Sequence, residues 1–227
     1  MSKPRLAILI SGRGSNMLAV ADAVKQNKIA ADICLVLSNK EDAPGIAEAA
    51  KRGLPTQILE RGAGINKGGN RDEYDEQLLN AVDKAQPDLV LLAGFMYIIG
   101  EKLVETYYGR MINIHPSLLP KYPGLNTHKR ALANSDKLHG LTIHYVTNDL
   151  DAGPIIMQKS IEVMAGDNED SLAARLLSYE HSCLVDTMAL LAQQQIKLVT
   201  DADGKAQVLR GTKIDDQIRS PNINQYK

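Results

Sequence analysis

The sequence predicts an α/β protein: a three-layer fold on a mostly parallel twisted sheet, Rossmann-like in its N-terminal half, with an antiparallel C-terminal strand pair and a long C-terminal helix. Three observations lead there. Five short apolar runs, at residues 6–10, 33–37, 56–59, 89–92 and 111–114, are separated by helical patterns or by segments long enough to hold a helix. After residue 138 the pattern changes to two strand-like runs, 141–146 and 155–161, joined through Asp151-Ala152-Gly153-Pro154, which suits hairpin pairing and a mixed sheet. Residues 171–193 then read as a long helix with Leu172, Leu176, Leu184 and Met188 on its buried side.

The elements between these runs read in order. Met17, Val20, Ala21 and Val24 form one helical stripe, Gly53 closes the second helix as its C′ residue, and Tyr74, Leu78, Val82 and Ala85 form another stripe. Stretch 62–70 and the tail from Arg210 read as loose. At 227 residues the chain can bury the core of one domain. A net charge of -1 gives no global reason to bind a polyanion, so no nucleic-acid partner is expected. Cys34 and Cys183 are far apart in apolar segments and read as small buried thiols in a reducing compartment. The run before Ser11 holds only about five apolar residues, too few for a signal segment or a membrane span, which points to a cytoplasmic protein without a membrane partner.

Four segments carry residues suited to chemistry. Ser11-Gly12-Arg13-Gly14-Ser15-Asn16 follows the first strand and opens the first helix, where glycines let a ligand approach and free N–H groups attract an anion. The alternative is a tight βα turn in which Ser15 or Asn16 caps the helix. Met17 replaces the third glycine of the dinucleotide fingerprint, and the second strand ends without an acid, so a nicotinamide dinucleotide is disfavoured. Ala93-Gly94-Phe95-Met96-Tyr97-Ile98-Ile99 ends the fourth strand and can either line a crevice for a flat ligand or run on as core.

Asn113-Ile114-His115-Pro116-Ser117-Leu118-Leu119-Pro120 sets an amide and an imidazole on the same face of a strand end. Both can serve a developing oxyanion, and the imidazole can also move a proton. The structural alternative is a hydrogen-bonded histidine beside a Pro-stiffened loop. Asp149-Leu150-Asp151-Ala152-Gly153-Pro154 is first of all a turn, but it can bring a carboxylate beside His115 to raise and orient the imidazole. His128 and His139 read as structural or peripheral. The five histidines form no HExxH pattern and no close His/Cys cluster, so no metal is expected.

Taken together, these four segments resemble the folate-dependent formyltransferase family, in its glycinamide ribonucleotide branch, over residues 5 to 195. The resemblance implies one catalytic domain, 1–195, with a nucleotide- and phosphate-binding half (1–110) and a catalytic and folate-binding half (111–195), followed by an irregular extension, 196–227. It implies transfer of the formyl group of 10-formyltetrahydrofolate, a co-substrate, to the amino group of glycinamide ribonucleotide in purine synthesis. Asn113, His115 and Asp151 would be the catalytic trio. Gly14, Ser15, Asn16 and Glu180 would bind the ribonucleotide. Arg71, Met96, Tyr97, Ile98, Ile99, Val146, Thr147, Asn148, Asp149 and Leu150 would bind the folate. The partners would be these small molecules, with the chain a monomer or homodimer. Tyr97 departs from the family pattern, which commonly has Arg there, and puts a side-chain contact to the folate in question. A transfer-RNA formylating relative would need a further basic domain, a formyltetrahydrofolate hydrolase usually carries an N-terminal regulatory domain, and a plain nucleotide-binding module leaves Asn113, His115 and Asp151 unexplained.

Overall fold

In the computed structural model residues 2–60 and 71–211 are described. Stretch 62–70 and all but the first two residues of the tail from Arg210 lie outside them. A seven-stranded sheet has the order β3-β2-β1-β4-β5-β6-β7. Strands β1 (Arg5–Ile10), β2 (Asp32–Ser38), β3 (Thr56–Ile58), β4 (Leu89–Leu92) and β5 (Met111–His115) are parallel. Strands β6 (Leu138–Tyr145) and β7 (Ile155–Glu162) are antiparallel, β6 to β5 and β7 to β6. The central strand explains why the apolar runs are continuous rather than alternating: Leu6 through Ile10 are all fully buried, because both faces of the sheet are covered.

Leu6, Ile8 and Ile10 pack beneath α1 (Ser15–Lys25), α2 (Pro44–Lys51) and α6 (Glu169–Ala192). Ala7 and Leu9 face the opposite layer, α3 (Arg71–Lys84) and α4 (Glu101–Thr106). A short α5 (Thr127–Ala133) follows the Pro-rich loop. Helix α6 starts on a capping box in which the Asn168 side chain accepts from Ser171 N–H and the Ser171 hydroxyl accepts from Asn168 N–H, worth about 1 kcal/mol.

Two details differ from the sequence reading. The connection between β6 and β7 spans 146–154, so Asp151-Ala152-Gly153-Pro154 is its far end rather than the whole turn. Beyond α6, β8 (Ile196–Thr200) and β9 (Ala206–Arg210) form a separate antiparallel sheet within what the sequence offered only as a partly irregular extension. Among the described residues, no helix is long and apolar enough to cross a membrane.

Candidate active site

Ligands in open α/β sheets bind outside the carboxyl ends of the strands, where the strand order reverses, and here that point lies between β1 and β4. Ser11, one residue beyond β1, stitches three strand ends together. Its N–H donates to the Gly94 carbonyl (3.1 Å), its hydroxyl donates to Asn39 Oδ1 (2.6 Å), and that hydroxyl accepts from Met96 N–H (2.7 Å). Gly14 sits at φ 68, the left-handed region glycine tolerates, and is the N-cap residue of α1. Neither Ser15 nor Asn16 caps that helix: no side-chain cap bond is present, and Asn16 instead donates to Glu180 Oε2 on α6 (2.9 Å). The first N–H groups of α1 stay open, and a Cβ at Gly12 would meet nothing within 4 Å, which leaves an open cradle in front of the helix.

At the end of β5 the antiparallel register pairs Asn113 with His144, so the two side chains sit side by side on one face. His144 Nδ1–H donates to the Tyr145 carbonyl (2.8 Å), which leaves Nε2 as an acceptor for the Asn113 amide (3.2 Å). The other Asn113 N–H donates to Asp151 Oδ1 (3.3 Å). Asp151 Oδ2 accepts from Gly124 N–H (2.8 Å) and lies 3.4 Å from His115 Nδ1, while His115 Nε2–H donates to the Tyr122 carbonyl (2.9 Å). Asp151 adopts a left-handed backbone conformation, φ 51, which non-glycine residues rarely hold. Thus the sequence-predicted trio of Asn113, His115 and Asp151 converges. His144 completes it, and its signal was a polar residue inside an apolar strand, meaningful only once the β5–β6 register is known.

Burial pulls the His115 imidazole below its usual range, against the Tyr122 carbonyl and the Asp151 carboxylate, which favour the protonated ring. Both ring nitrogens face acceptors, so a neutral ring leaves a lone pair against an oxygen and a second proton satisfies both contacts. Burial also opposes ionisation of Asp151, but the hydrogen bond from Gly124 N–H and the neighbouring His115 help outweigh it and hold the carboxyl below the usual range. The site therefore sets a carboxylate beside an imidazole whose protonation burial opposes and two facing acceptors favour.

Asn113, His115 and Asp151 line a cavity of about 660 Å³, and His144 lines the recess beside it. At one end stand Asn16 and Glu180, and at the other Phe95, Met96, Tyr97, Ile98 and Leu150. Asn16 Oδ1 is buried there without a partner among the described residues, and burial raises the Glu180 carboxyl despite the Asn16 bond. An adjoining recess of about 100 Å³ is walled by Ile99, Val146, Thr147, Asn148 and Asp149. Arg71 donates to the carbonyl of Ile98, a residue of the cavity wall (3.3 Å). A wider crevice, about 1060 Å³, opens near the start of β4, at the opposite edge of the parallel strands, but it holds neither the amide–imidazole cluster nor the glycine turn. Among the described residues, no group of three or more His, Cys, Asp or Glu side chains is placed to hold a metal ion.

The model of one known family, the formyl transferases, matches residues 4–188. This chain belongs to that family. It is 44% identical over 197 residues to the phosphoribosylglycinamide formyltransferase of Escherichia coli (strain K12), covering 87% of this chain and 91% of that protein. Among solved structures of the family, the phosphoribosylglycinamide formyltransferase from Coxiella burnetii superposes with a TM-score of 0.83 at 38% identity, over 92% of this chain and 93% of that one. A formyltetrahydrofolate deformylase from Pseudomonas syringae pv. tomato gives a TM-score of 0.80 at 25% identity, over 91% of this chain but 66% of its own. The fold is thus common to formyl transfer and deformylation, and the site must separate them.

Proposed function

We propose that this chain transfers the formyl group of 10-formyltetrahydrofolate to the amino group of glycinamide ribonucleotide, releasing N-formylglycinamide ribonucleotide and tetrahydrofolate, as a step of cytoplasmic purine synthesis. The observation that carries this reading is one cavity whose wall holds Asn113, His115 and Asp151, with His144 in the adjoining recess, an anion-ready helix start at one end and an apolar pocket at the other. The ribonucleotide phosphate would lie on Gly14, Ser15 and Asn16, with Glu180 accepting from the ribose hydroxyls. The flat donor would lie on Met96, Tyr97, Ile98 and Ile99 and against Val146, Thr147, Asn148, Asp149 and Leu150, its distal part toward Arg71. Support comes also from the near full-length similarity to the Escherichia coli protein named for this reaction.

The amine nitrogen attacks the formyl carbon, and charge develops on the formyl oxygen. That oxygen competes for donors already in use: the Asn113 N–H held by Asp151 and the His115 Nε2–H held by the neutral Tyr122 carbonyl. An anionic acceptor makes a hydrogen bond roughly twice as strong as a neutral one, so it wins the second contest as the bond forms. Asp151 removes the proton from the attacking nitrogen, directly or through a water, and returns it to the leaving nitrogen as the carbon–nitrogen bond of the donor breaks. His144 keeps the Asn113 amide in register by accepting one of its N–H groups.

The test mixes purified protein with both substrates and follows tetrahydrofolate release. Release that requires the ribonucleotide is the expected result. Release from the donor alone would make the protein a hydrolase like the deformylase it resembles in fold, and absence of release would leave a nucleotide-binding module.

A further inference from the structure

Ser11 and Asn39 stand one residue beyond β1 and β2, are only 5% and 7% exposed, and do not line the cavity. They nevertheless reach two parts of it. The Ser11 hydroxyl has one proton, which goes to Asn39 Oδ1 at 2.6 Å, so the oxygen turns a lone pair to Met96 N–H at 2.7 Å. Giving the proton away makes the oxygen a better acceptor, and the two bonds strengthen each other. The Ser11 N–H donates to the Gly94 carbonyl at 3.1 Å. Segment 93–100 holds neither helix nor strand, so these bonds at 94 and 96 tie an irregular stretch to the end of β1.

The same residue leads into the glycine turn. That turn is braced from α2, where Gly45 N–H donates to the Gly12 carbonyl at 3.0 Å, and a Cβ at position 45 would come within 2.9 Å of that oxygen. Toward α1 the turn has no such brace, because the first N–H groups of that helix meet no side-chain cap. Ser11 thus adjoins the ribonucleotide cradle through its main chain and holds the donor wall through its hydroxyl, where Met96 and Ile98 line the cavity more than half exposed. An anion seated on the start of α1 fixes the main chain that follows Ser11, and ordering done there is not paid again when the donor meets the 94–97 wall. We propose that Ser11, held in its rotamer by Asn39, couples the two subsites, so that a bound ribonucleotide tightens the binding of the donor. Both are positioning residues, and neither touches a substrate. This deepens the reading above and rests on it.

The test measures binding without chemistry. Tetrahydrofolate, the deformylated form of the donor, is titrated into wild type, Ser11→Ala, Asn39→Ala and the double variant, alone and with saturating glycinamide ribonucleotide. In wild type the ribonucleotide lowers the Kd for tetrahydrofolate about fivefold or more, the lower end of ordinary coupling between sites, and by linkage tetrahydrofolate lowers the ribonucleotide Kd by the same factor. Ser11→Ala abolishes both effects, while the Kd for the ribonucleotide alone stays near wild type. Asn39→Ala weakens the coupling, and the double variant is no worse than Ser11→Ala, as expected when one residue acts through the other. Amide hydrogen exchange at Met96 slows when the ribonucleotide is added to wild type and does not slow in Ser11→Ala, a response that a purely structural role for Ser11 would not give. The proposal is overturned if wild type shows no coupling, if Ser11→Ala keeps it, or if Ser11→Ala weakens each ligand alone and leaves the coupling factor as it was. If Ser11→Ala does not fold, Asn39→Ala decides: full coupling in that variant overturns the proposal. Failure of the underlying function is seen separately, as wild type that binds neither ligand.

Discussion

Two histidine pairs in this molecule are held in opposite ways. His128 and His139 bond directly to each other, Nδ1 to Nε2 at 2.9 Å, with rings edge to face at 4.9 Å. One proton serves that bond, and a second would set N–H against N–H; burial, then His128, bring His139 down to about 4. His115 and His144 instead flank a carboxylate, with Asp151 oxygens at 3.4 and 3.7 Å. Burial opposes charge in both places. What separates them is a carboxylate in direct contact, Asp151, beside the second pair, whereas Glu169 and Asp136 act on the first only from further off and it stays a neutral strut between α5 and β6. A buried histidine becomes useful for proton handling through its neighbour, not through its burial.

The sharpest way to break the comparison is to remove one imidazole from each pair. His115→Gln should lower kcat by about three orders of magnitude, the scale of losing an oxyanion donor together with a proton relay, while His139→Gln leaves turnover near wild type. Equal losses in steady-state assays would erase the distinction drawn here.

The next largest effect is on stability. Folding lowers the proton affinity of His139 from 6.5 to about 4, so on acidification the unfolded chain takes its proton first. The contribution to stability is therefore full above pH 6.5 and is lost as pH falls toward 4, by about 3 kcal/mol at most. Denaturant midpoints measured across that window should fall less steeply in His139→Gln than in wild type. Superimposable profiles would mean that the pair is not a neutral strut.

A smaller change probes how Asn113 is held. His144→Leu should cost roughly tenfold in kcat, because the amide loses the acceptor that fixes one of its two N–H groups, with little change in either KM. A variant that loses melting temperature but keeps kcat would assign His144 to packing alone. The smallest effect lies at the far end of the cavity: Glu180→Gln should raise the ribonucleotide KM several-fold and leave the donor KM untouched, since the amide keeps one acceptor and loses the charge.

Much of this was legible in the sequence, for a physical reason. Parallel strands covered on both faces must be apolar throughout, so runs such as Leu6–Ile10 announce themselves, and Asn113 with His115 marks a strand end because alternate residues share a face. The meeting of Asp151 with His115 was not legible. It depends on a nine-residue connection, 146–154, on the left-handed backbone at Asp151, and on the Gly124 N–H that holds the carboxylate. Nor was His144, whose meaning lies in its pairing opposite Asn113. The β8–β9 hairpin escaped because most of its side chains are partly exposed and its apolar alternation is weak.

The central claim is that Asp151 moves the proton from attacking to leaving nitrogen, and the direct measurement is the single-turnover rate of Asp151→Asn with bound ribonucleotide, beside the ribonucleotide Kd. The geometry predicts a chemical step slowed about a hundredfold or more, with ribonucleotide affinity essentially that of wild type, because Asn16 and Glu180 are untouched. A single-turnover rate close to wild type would contradict the account and remove Asp151 from the mechanism.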